Sequence, residues 1–194
     1  MLSDEGYLLL HEVRLRGLLE IEDGSERARH VTTLTAAGFV VPVRAAIRIT
    51  PDGRTAHEQW ARVAIGSEVE AAVTRGYERF LPINVEFLRI CNDWQVRPGN
   101  VPNDHGDAAY DWTVIDRLRT LDERTAPVVR RVARSVARFD AYPRRLRAAL
   151  SRVDEGEREW FTSPRIDSYH TVWMQLHEDL LLALGKSREH EPQV

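Results

Sequence analysis

Two histidines near the end of the chain are spaced so that both could serve one ligand site. His170 and His177 lie seven residues apart on a predicted amphipathic helix, on the same face as Trp173. Imidazole nitrogens on an apolar face need hydrogen-bonding partners. Metal-chelating histidine pairs on a helix are typically four residues apart, so this spacing disfavours a metal site. The histidines therefore either line an organic-ligand pocket or hydrogen-bond to carboxylates and carbonyls of the core.

Other aromatic and polar residues extend the pocket hypothesis. Tryptophan rings combined with a few polar groups are typical of small-molecule sites. Asn92, Asp104 and His105 are further candidates to converge on the histidines. No cofactor and no metal ion are predicted. The predicted ligand pocket consists of Asp93, Trp94, Tyr169, His170, Trp173 and His177.

The sequence lacks the motifs of common catalytic sites. It contains no glycine-rich phosphate loop and no nucleophile elbow, and His11-Glu12 lacks the second histidine of a zinc-protease motif. The only cysteine, Cys91, excludes an internal disulfide and a cysteine-rich zinc site. Nothing marks Cys91 as reactive, so we expect it to be a small core residue. The sequence thus predicts a protein that is not an enzyme.

The composition is that of a globular protein with one unusual bias. Of 194 residues, 43% are hydrophobic and 29% are charged, and the formal net charge is −3. No apolar stretch is long enough for a membrane span, and the acidic start lacks signal-peptide features, so we expect a cytoplasmic location. Arginine supplies 26 of the 27 basic residues. Either guanidinium groups are used to bind phosphate, or a GC-rich genome favours arginine codons everywhere.

The arginines concentrate in two parts of the chain. Residues 25–54 contain five of them against Glu26 and Asp52. Residues 117–152 contain eleven against three acidic residues, and the eleven include a helical stripe of Arg130, Arg134 and Arg138. The second group has two interpretations. It is a surface for a DNA backbone or another anionic partner, or a solvated face paired with acids elsewhere.

Local signals predict helices and a short β-ribbon over the first 65 residues. Serine or threonine is placed to cap each helix, and glycines follow the helix ends. The segment between the second and third helices is rich in β-branched residues and then alternates, which is typical of short strands. The predicted helices cover 3–16, 25–37 and 50–65, and a short helix is predicted in the apolar segment of Leu18, Leu19 and Ile21 between the first two. The predicted strands cover 39–43 and 47–49.

The remainder of the chain is predicted to be wholly helical. A capping box begins at Ser67, and the turn residues of 97–106 form a loop. Pro82 and Pro127 are expected to kink or split the helices that contain them. The predicted helices cover 67–96, 107–137, 142–153 and 163–185, and the predicted domains are 1–65, 66–185 and a polar tail of 186–194.

Two runs in the first region resemble motifs of the MarR-type winged helix-turn-helix regulators. They are Val31–Val40, VTTLTAAGFV, and Ile47–Arg54, IRITPDGR. In that family a reading helix ends in Leu-x-x-x-Gly-Leu-Val, a wing follows, and Leu-Thr-Pro-x-Gly-Arg opens the next helix. This sequence departs from the pattern in a shortened segment before Ser25 and in a very short wing. The whole chain, including DSYHTVW at 167–173, also resembles actinobacterial regulators that join such a head to an α-helical C-terminal domain.

The resemblance implies a mainly α fold, in which a winged helix-turn-helix of three helices and a two-stranded wing precedes an all-helical bundle. It implies a transcriptional regulator that binds double-stranded DNA as a homodimer, with the helical domain as its dimerisation or effector module. Two-fold symmetry would place the reading helices about one DNA turn apart, ~34 Å. The predicted DNA-binding residues are Arg27, Arg29, His30, Thr33, Arg44, Arg48 and Arg54.

Two other functions remain open from the sequence. A winged-helix shape can serve protein contacts without binding DNA, because a fold does not determine a function. Alternatively, the helical domain is a ligand or metal sensor that uses His170 and His177. Salt dependence separates the first alternative from DNA binding, since phosphate contacts weaken steeply with salt. Metal or ligand retained by the purified protein would indicate the ligand or metal sensor.

Overall fold

The computed structural model describes residues 2–22 and 24–187, and it is mainly helical, as predicted. The described chain divides into two units. The first comprises residues 2–65 and 178–187, and the second comprises residues 66–177. Residues 178–185, which the sequence assigned to the second domain, thus group with the first unit. In the predicted polar tail, Lys186 and Ser187 are exposed, and residues 188–194 lie outside the described residues.

The first unit combines helices with a three-stranded antiparallel sheet in the order β1-β3-β2. The strand β1 occupies the segment before α2 where the sequence predicted a short helix, and that prediction is wrong. Pairing of Leu19 with Ile47 of β3 holds the segment extended, and no local pattern shows this distant pairing. The last described helix, α8 (Tyr169–Leu184), also contributes its final residues to this unit. The elements are α1 (Asp4–Arg16), β1 (Leu19–Glu20), α2 (Glu26–Ala36), β2 (Val40–Val43), β3 (Ala46–Ile49) and α3 (Pro51–Ala61).

Side-chain caps fix where these helices begin. The Ser3 hydroxyl accepts a hydrogen bond from Gly6 N at 3.2 Å, and the Thr50 hydroxyl accepts one from Gly53 N at 3.0 Å. Both bonds satisfy backbone N–H groups that lack partners in the first turn of a helix. The third helix ends at Ala61 rather than near Ile65, because Arg62 adopts an extended conformation.

The core of the first unit lies between one face of the sheet and the helices. Ile47 and Ile49 on β3 are buried, whereas Arg48 between them is exposed. This alternation follows from the two-residue period of a strand and confirms the half-buried strand that the sequence predicted. The buried core consists of Leu9, Leu10, Val13, Leu19, Leu34, Val40, Ile47 and Ile49.

The second unit is built on two long helices, α4 (Glu68–Gln95) and α5 (Ala108–Ala133). They approach each other at Gly76, where an added Cβ would lie 2.2 Å from Val132 Cγ2. Both helices run without a break through the predicted kink sites, Pro82 and Pro127. Each proline is exposed, so the carbonyl that it leaves without a helical partner can meet water. The splits that the sequence allowed at these prolines are therefore wrong.

The segment after α4 is not wholly helical, which corrects the prediction. Two-residue strands, β4 and β5, form a hairpin inside the predicted loop of 97–106. The last helix also begins later than predicted, at Tyr169, because residues 164–167 form turns instead of a first helical turn. The elements are α4 (Glu68–Gln95), β4 (Val96–Arg97), β5 (Val101–Pro102), α5 (Ala108–Ala133), a 3₁₀ helix (Ala137–Asp140), α6 (Ala141–Asp154), α7 (Glu159–Thr162) and α8 (Tyr169–Leu184).

Candidate functional site

The outward face of α2 presents the first group of candidate residues. Arg29 and Thr33 are exposed, as is Thr32, whereas Leu34 on the opposite side is fully buried in the core. The Thr33 hydroxyl donates to the carbonyl oxygen of Arg29 at 3.2 Å, one helical turn earlier. Burial of Leu34 therefore fixes which face of α2 is turned to solvent, and that face carries a guanidinium group and two hydroxyl groups.

The hairpin and the start of α3 present three more arginines. Arg48 projects from the outer face of β3, and Arg44 occupies the two-residue turn between β2 and β3 with a φ of 57°. Arg54 lies in the first turn of α3. All three side chains are exposed, and none forms an ion pair with another described residue. Their guanidinium groups are therefore available to an anionic partner.

Arg27 and His30 are in a different environment from the other predicted DNA-binding residues. The Arg27 guanidinium forms an ion pair with Glu12 of α1. His30 is half-buried and lines a groove between α1 and α2 together with Arg27 and Glu12. Of the seven predicted residues, these two lie beside α1 and its carboxylates, although the Arg27 side chain is itself half exposed. The other five are exposed and lie elsewhere on the unit. The sequence showed their charge but not this pairing.

A buried hydrogen-bonded cluster of two histidines and one carboxylate lies in the first unit and was not predicted. His11 Nδ1 lies 2.8 Å from His57 Nε2, and His11 Nε2 lies 3.2 Å from the Asp179 carboxylate. His57 and Asp179 are fully buried, and His11 is 8% exposed. The Trp60 ring lies beside both imidazoles, with its centroid 5.9 Å from each. Three helices, α1, α3 and α8, thus each contribute one polar side chain to this buried cluster.

One arrangement of protons satisfies both contacts of His11. His57 Nε2–H donates to His11 Nδ1, and His11 Nε2–H donates to Asp179. A buried carboxylate needs such a partner, because removing its charge from water without one is costly. Asp179 stands in the apolar run of α8, and His57 lies on the buried face of α3 beside Ala61. In the sequence, the feature that could have revealed this cluster is the carboxylate of Asp179 among the apolar residues of its helix.

The predicted pocket residues of α8 form a packed aromatic cluster in the second unit. Trp173 stacks between Phe80 and Phe87 of α4, at centroid distances of 5.0 and 4.3 Å. Its indole N–H donates to Asn84 Oδ1 at 2.8 Å. His177 lies 5.3 Å from the Phe80 ring, and Trp173 is fully buried. These contacts fill the space around the two residues with aromatic rings.

Tyr169 and His170 sit at the start of the same helix. The Tyr169 hydroxyl donates to the buried carboxylate of Asp122 at 3.1 Å. Burial is the main cause that raises the pKa of Asp122, and the Tyr169 hydrogen bond opposes it. His170 is half-buried against Phe87, with ring centroids 6.0 Å apart. Partial burial lowers the pKa of His170 below its ordinary value.

The pKa of His170 predicts a pH dependence of stability. Because the folded protein favours neutral His170, its contribution to stability is present above pH 6.5, the ordinary pKa, and is lost as the pH falls toward the lower folded pKa. The variant His170→Gln should therefore show a shallower decline in unfolding free energy between pH 7.5 and 5.5. Urea denaturation at each pH measures this slope. An equally steep decline in both proteins would contradict the assignment.

Asp93 and Trp94 lie at the end of α4, away from that aromatic cluster. The Asp93 carboxylate accepts a hydrogen bond from Arg117 Nη1 at 2.6 Å on the surface. The Trp94 ring stacks on Phe161 and also contacts His105, with both centroid distances 4.4 Å. The structure thus divides the six predicted pocket residues among three environments. Of these six, Trp94 lines a cavity of about 240 Å³ at this end of the unit.

The arginines of 117–152 are mostly paired with acids. At least six of the eleven form ion pairs with described residues, for example Arg124 with Glu86 at 2.7 Å and Arg119 with Asp154 at 2.8 Å. This supports the solvated-face interpretation for that part of the run. Arg130 and Arg134 of the stripe are exposed and have no ion pair with a described residue.

Comparison of the chain with protein-family models, with curated proteins and with solved structures found no match. Within the described part of the chain, no group of three or more His, Cys, Asp or Glu residues could hold a metal ion. No helix there is long and apolar enough to cross a membrane. Burial raises the pKa of Cys91 to about 12, so its thiol stays protonated.

Proposed function

We propose that the first unit binds double-stranded DNA and that the chain is a transcriptional regulator acting as a homodimer. We interpret the order α1–β1–α2–β2–β3–α3 as a winged helix without the helix that usually precedes the reading helix. In this proposal α2 is the reading helix and the β2–β3 hairpin is the wing. The observation that carries it is the set of exposed arginines on the hairpin and at the start of α3, next in the chain to the exposed face of α2.

Contacts between the two MarR-like runs support the winged-helix interpretation. The Thr50 hydroxyl donates to the Gly38 carbonyl oxygen at 2.6 Å, and Thr50 N donates to Phe39 O at 2.9 Å. The residues that end the reading helix are thereby fixed to those that begin α3. This junction holds Arg29 on α2 and Arg54 on α3 in one small rigid body, which is what simultaneous contacts to one duplex require.

The roles of the arginines differ in this proposal. Arg29 and Thr33 on α2 would face base edges in the major groove, where guanidinium and hydroxyl groups read hydrogen-bonding patterns. Arg44, Arg48 and Arg54 would contact phosphates and set the position of the unit on the duplex. The two-residue turn at Arg44 makes the wing short, so we assign it to the DNA backbone rather than to deep insertion in the minor groove.

The first experiment is selection of genomic DNA by the full chain. The protein is incubated with sheared DNA of its source organism at about 0.15 M salt, near physiological ionic strength, and the retained fragments are sequenced. Enrichment of a short inverted repeat is expected, because two reading helices related by two-fold symmetry contact two half-sites. Retention without any common sequence would contradict a sequence-specific regulator.

Arginine substitutions then test the assigned residues. Arg29→Ala should cost about 1–3 kcal/mol of binding free energy and relax sequence preference at one position. Arg48→Ala should weaken binding to all sequences and reduce the slope of log K against log salt by about 0.9. Fluorescence anisotropy over a salt series measures both effects. The matched control is Arg89→Ala with Arg165→Ala, which removes two exposed arginines of the second unit; equal losses in the control would overturn the assignment.

One observation favours protein contact as a second candidate function. The outer face of the sheet exposes Leu18 at 53% and Val41 at 39%, and Val41 pairs with Arg48 across the strands. Apolar side chains beside an arginine are typical of protein interfaces. If no DNA is retained in the selection, this sheet face is the surface to examine in an adaptor.

A further inference from the structure

A cavity at one end of the second unit combines aromatic walls with two opposite charges. It encloses about 240 Å³ beside the end of α4. Its apolar lining includes Trp94, Trp112, Ile115 and Val153, and its polar lining is Asp111 and Arg158. Small-molecule sites have this composition, in which a largely apolar wall contains a few polar groups that fix orientation.

The Asp111 carboxylate is buried and held in a fixed position. Its side chain is 5% exposed. Asn103 Nδ2 donates to Asp111 Oδ1 at 2.9 Å, and His105 Nδ1 lies 3.1 Å from each carboxylate oxygen. Asn103 Nδ2 also donates to the Trp94 carbonyl oxygen at 3.0 Å, which links the carboxylate to the indole wall. Asp111 Oδ1 thus has two close partners, whereas His105 is the only described residue within hydrogen-bonding distance of Oδ2.

His105 is placed by an uncommon backbone conformation. Its φ of 60° lies in the left-handed region, which costs free energy for a residue other than glycine. This conformation sets the imidazole against the Trp94 ring, with centroids 4.4 Å apart, and brings Nδ1 to Asp111. Strain of this kind is concentrated at binding sites, where surrounding contacts hold it.

Arg158 provides the second charge and can move. Its Nη2 atom lies 3.7 Å from Asp111 Oδ2, beyond the ~2.7–2.9 Å of a charge-assisted hydrogen bond. The Arg158 side chain is 53% exposed, so it can change rotamer without disturbing the core. Rotation of the exposed Arg158 side chain away from Asp111 would therefore open space for a ligand group between a fixed carboxylate and a movable guanidinium.

We propose that this cavity binds a free α-amino acid with an apolar or aromatic side chain. Its ammonium group donates to Asp111 Oδ2, and its carboxylate accepts from the Arg158 guanidinium. Its side chain packs against the tryptophan rings and the aliphatic residues. A cation alone would leave Arg158 facing another positive charge, and an acid alone would meet the Asp111 carboxylate. A zwitterion places an opposite charge beside each of the two residues, Asp111 and Arg158. The proposal stands on the cavity and does not depend on DNA binding.

The test compares three ligands that share one ring. The full chain is titrated at pH 7.5 with L-phenylalanine, phenethylamine and 3-phenylpropionate, and binding is followed by calorimetry and by tryptophan fluorescence. L-Phenylalanine is expected to bind. Each analogue with a single charge should bind with an affinity lower by about tenfold or more, because one charged hydrogen bond is lost. Equal or tighter binding of phenethylamine would overturn the zwitterion class. No binding of L-phenylalanine, L-leucine or L-tryptophan at ~10 mM would overturn the site, since even a weak site saturates near 1 mM.

Two pairs of variants locate the site. Ala108 and Ala109 are adjacent exposed residues at the start of α5, and only Ala108 lines the cavity. Ala108→Phe should block amino-acid binding, whereas Ala109→Phe should leave it unchanged. Arg158→Gln should weaken binding about tenfold or more, and Arg165→Gln serves as its control. Unchanged affinity in both Ala108→Phe and Arg158→Gln, with the circular dichroism spectrum preserved, would refute the location.

Discussion

Replacing Asp179 with alanine is expected to lower the unfolding free energy by about 3–5 kcal/mol, the range for removing one partner of a buried pair. The Asp179 carboxylate is fully buried and accepts the hydrogen bond from His11, which in turn contacts His57. Its removal leaves one imidazole N–H buried without an acceptor and opens a small cavity beside α1. Both effects act in the same direction, and water cannot easily reach the site to compensate.

The neighbouring residue gives a control on the same helix. Glu178 pairs with Arg14 at 3.1 Å, but both side chains are about one quarter exposed. Glu178→Ala should therefore cost about 1 kcal/mol or less, as exposed ion pairs do. Urea denaturation of the three proteins gives the comparison. If Asp179→Ala were no more destabilising than Glu178→Ala, the hydrogen bonds among His57, His11 and Asp179 would not contribute to stability.

A further substitution separates charge from hydrogen bonding at this position. Asp179→Asn keeps an oxygen that can accept from His11 Nε2, but it removes the negative charge. A loss in Asp179→Asn well below that in Asp179→Ala would show that the hydrogen bond matters more than the charge. Similar losses would show that the ionised carboxylate is what holds His11. The single variant His11→Ala and the double variant His11→Ala with Asp179→Ala complete a cycle that gives the coupling energy between the two residues.

The sequence predicted those features of the fold that depend on neighbouring residues. The caps at Ser3 and Thr50 and the alternation around Arg48 are local, so they could be recognised without a structure. Short strands such as β4 lack enough residues to show a period. The start of α8 was misplaced because Ser163-Pro164 is a plausible cap, although the helix begins only at Tyr169. Tertiary packing decides between such alternative starts.

Pairings between distant residues account for most of what the sequence could not show. Periodicity indicates that Trp94 and Trp173 face inward, but it does not say which residues they meet. Trp94 contacts His105 beside a cavity, and Trp173 stacks on Phe87 in a filled core. His11 and Asp179 are 168 positions apart, and no local pattern links them. The charge of Arg27 was visible, but its partner on α1 was not.

The second large effect is expected at Gly53, where α3 passes close to the segment that follows α2. A Cβ on this residue would lie 2.1 Å from Phe39 O and 3.0 Å from Ile49 Cγ1. The nearer atom is backbone, and it already accepts a hydrogen bond from Thr50 N. It cannot move aside without disturbing the start of α3. Gly53→Ala should therefore destabilise the protein by about 2–3 kcal/mol, the upper part of the range for overpacking.

Gly6 provides a closely matched control for that substitution. Like Gly53, it is the third residue of its helix, and its N–H also donates to the hydroxyl of the N-cap residue, Ser3. A Cβ there would meet its nearest atom at 3.6 Å, an ordinary contact. Gly6→Ala should be neutral or stabilising by up to about 1 kcal/mol, because alanine favours helices. Opposite signs for the two variants in urea denaturation are the expected result. A loss of the same size in both would mean that glycine is needed for the cap rather than for the close approach to Phe39, and the junction between the two MarR-like runs would then be looser than its contacts indicate.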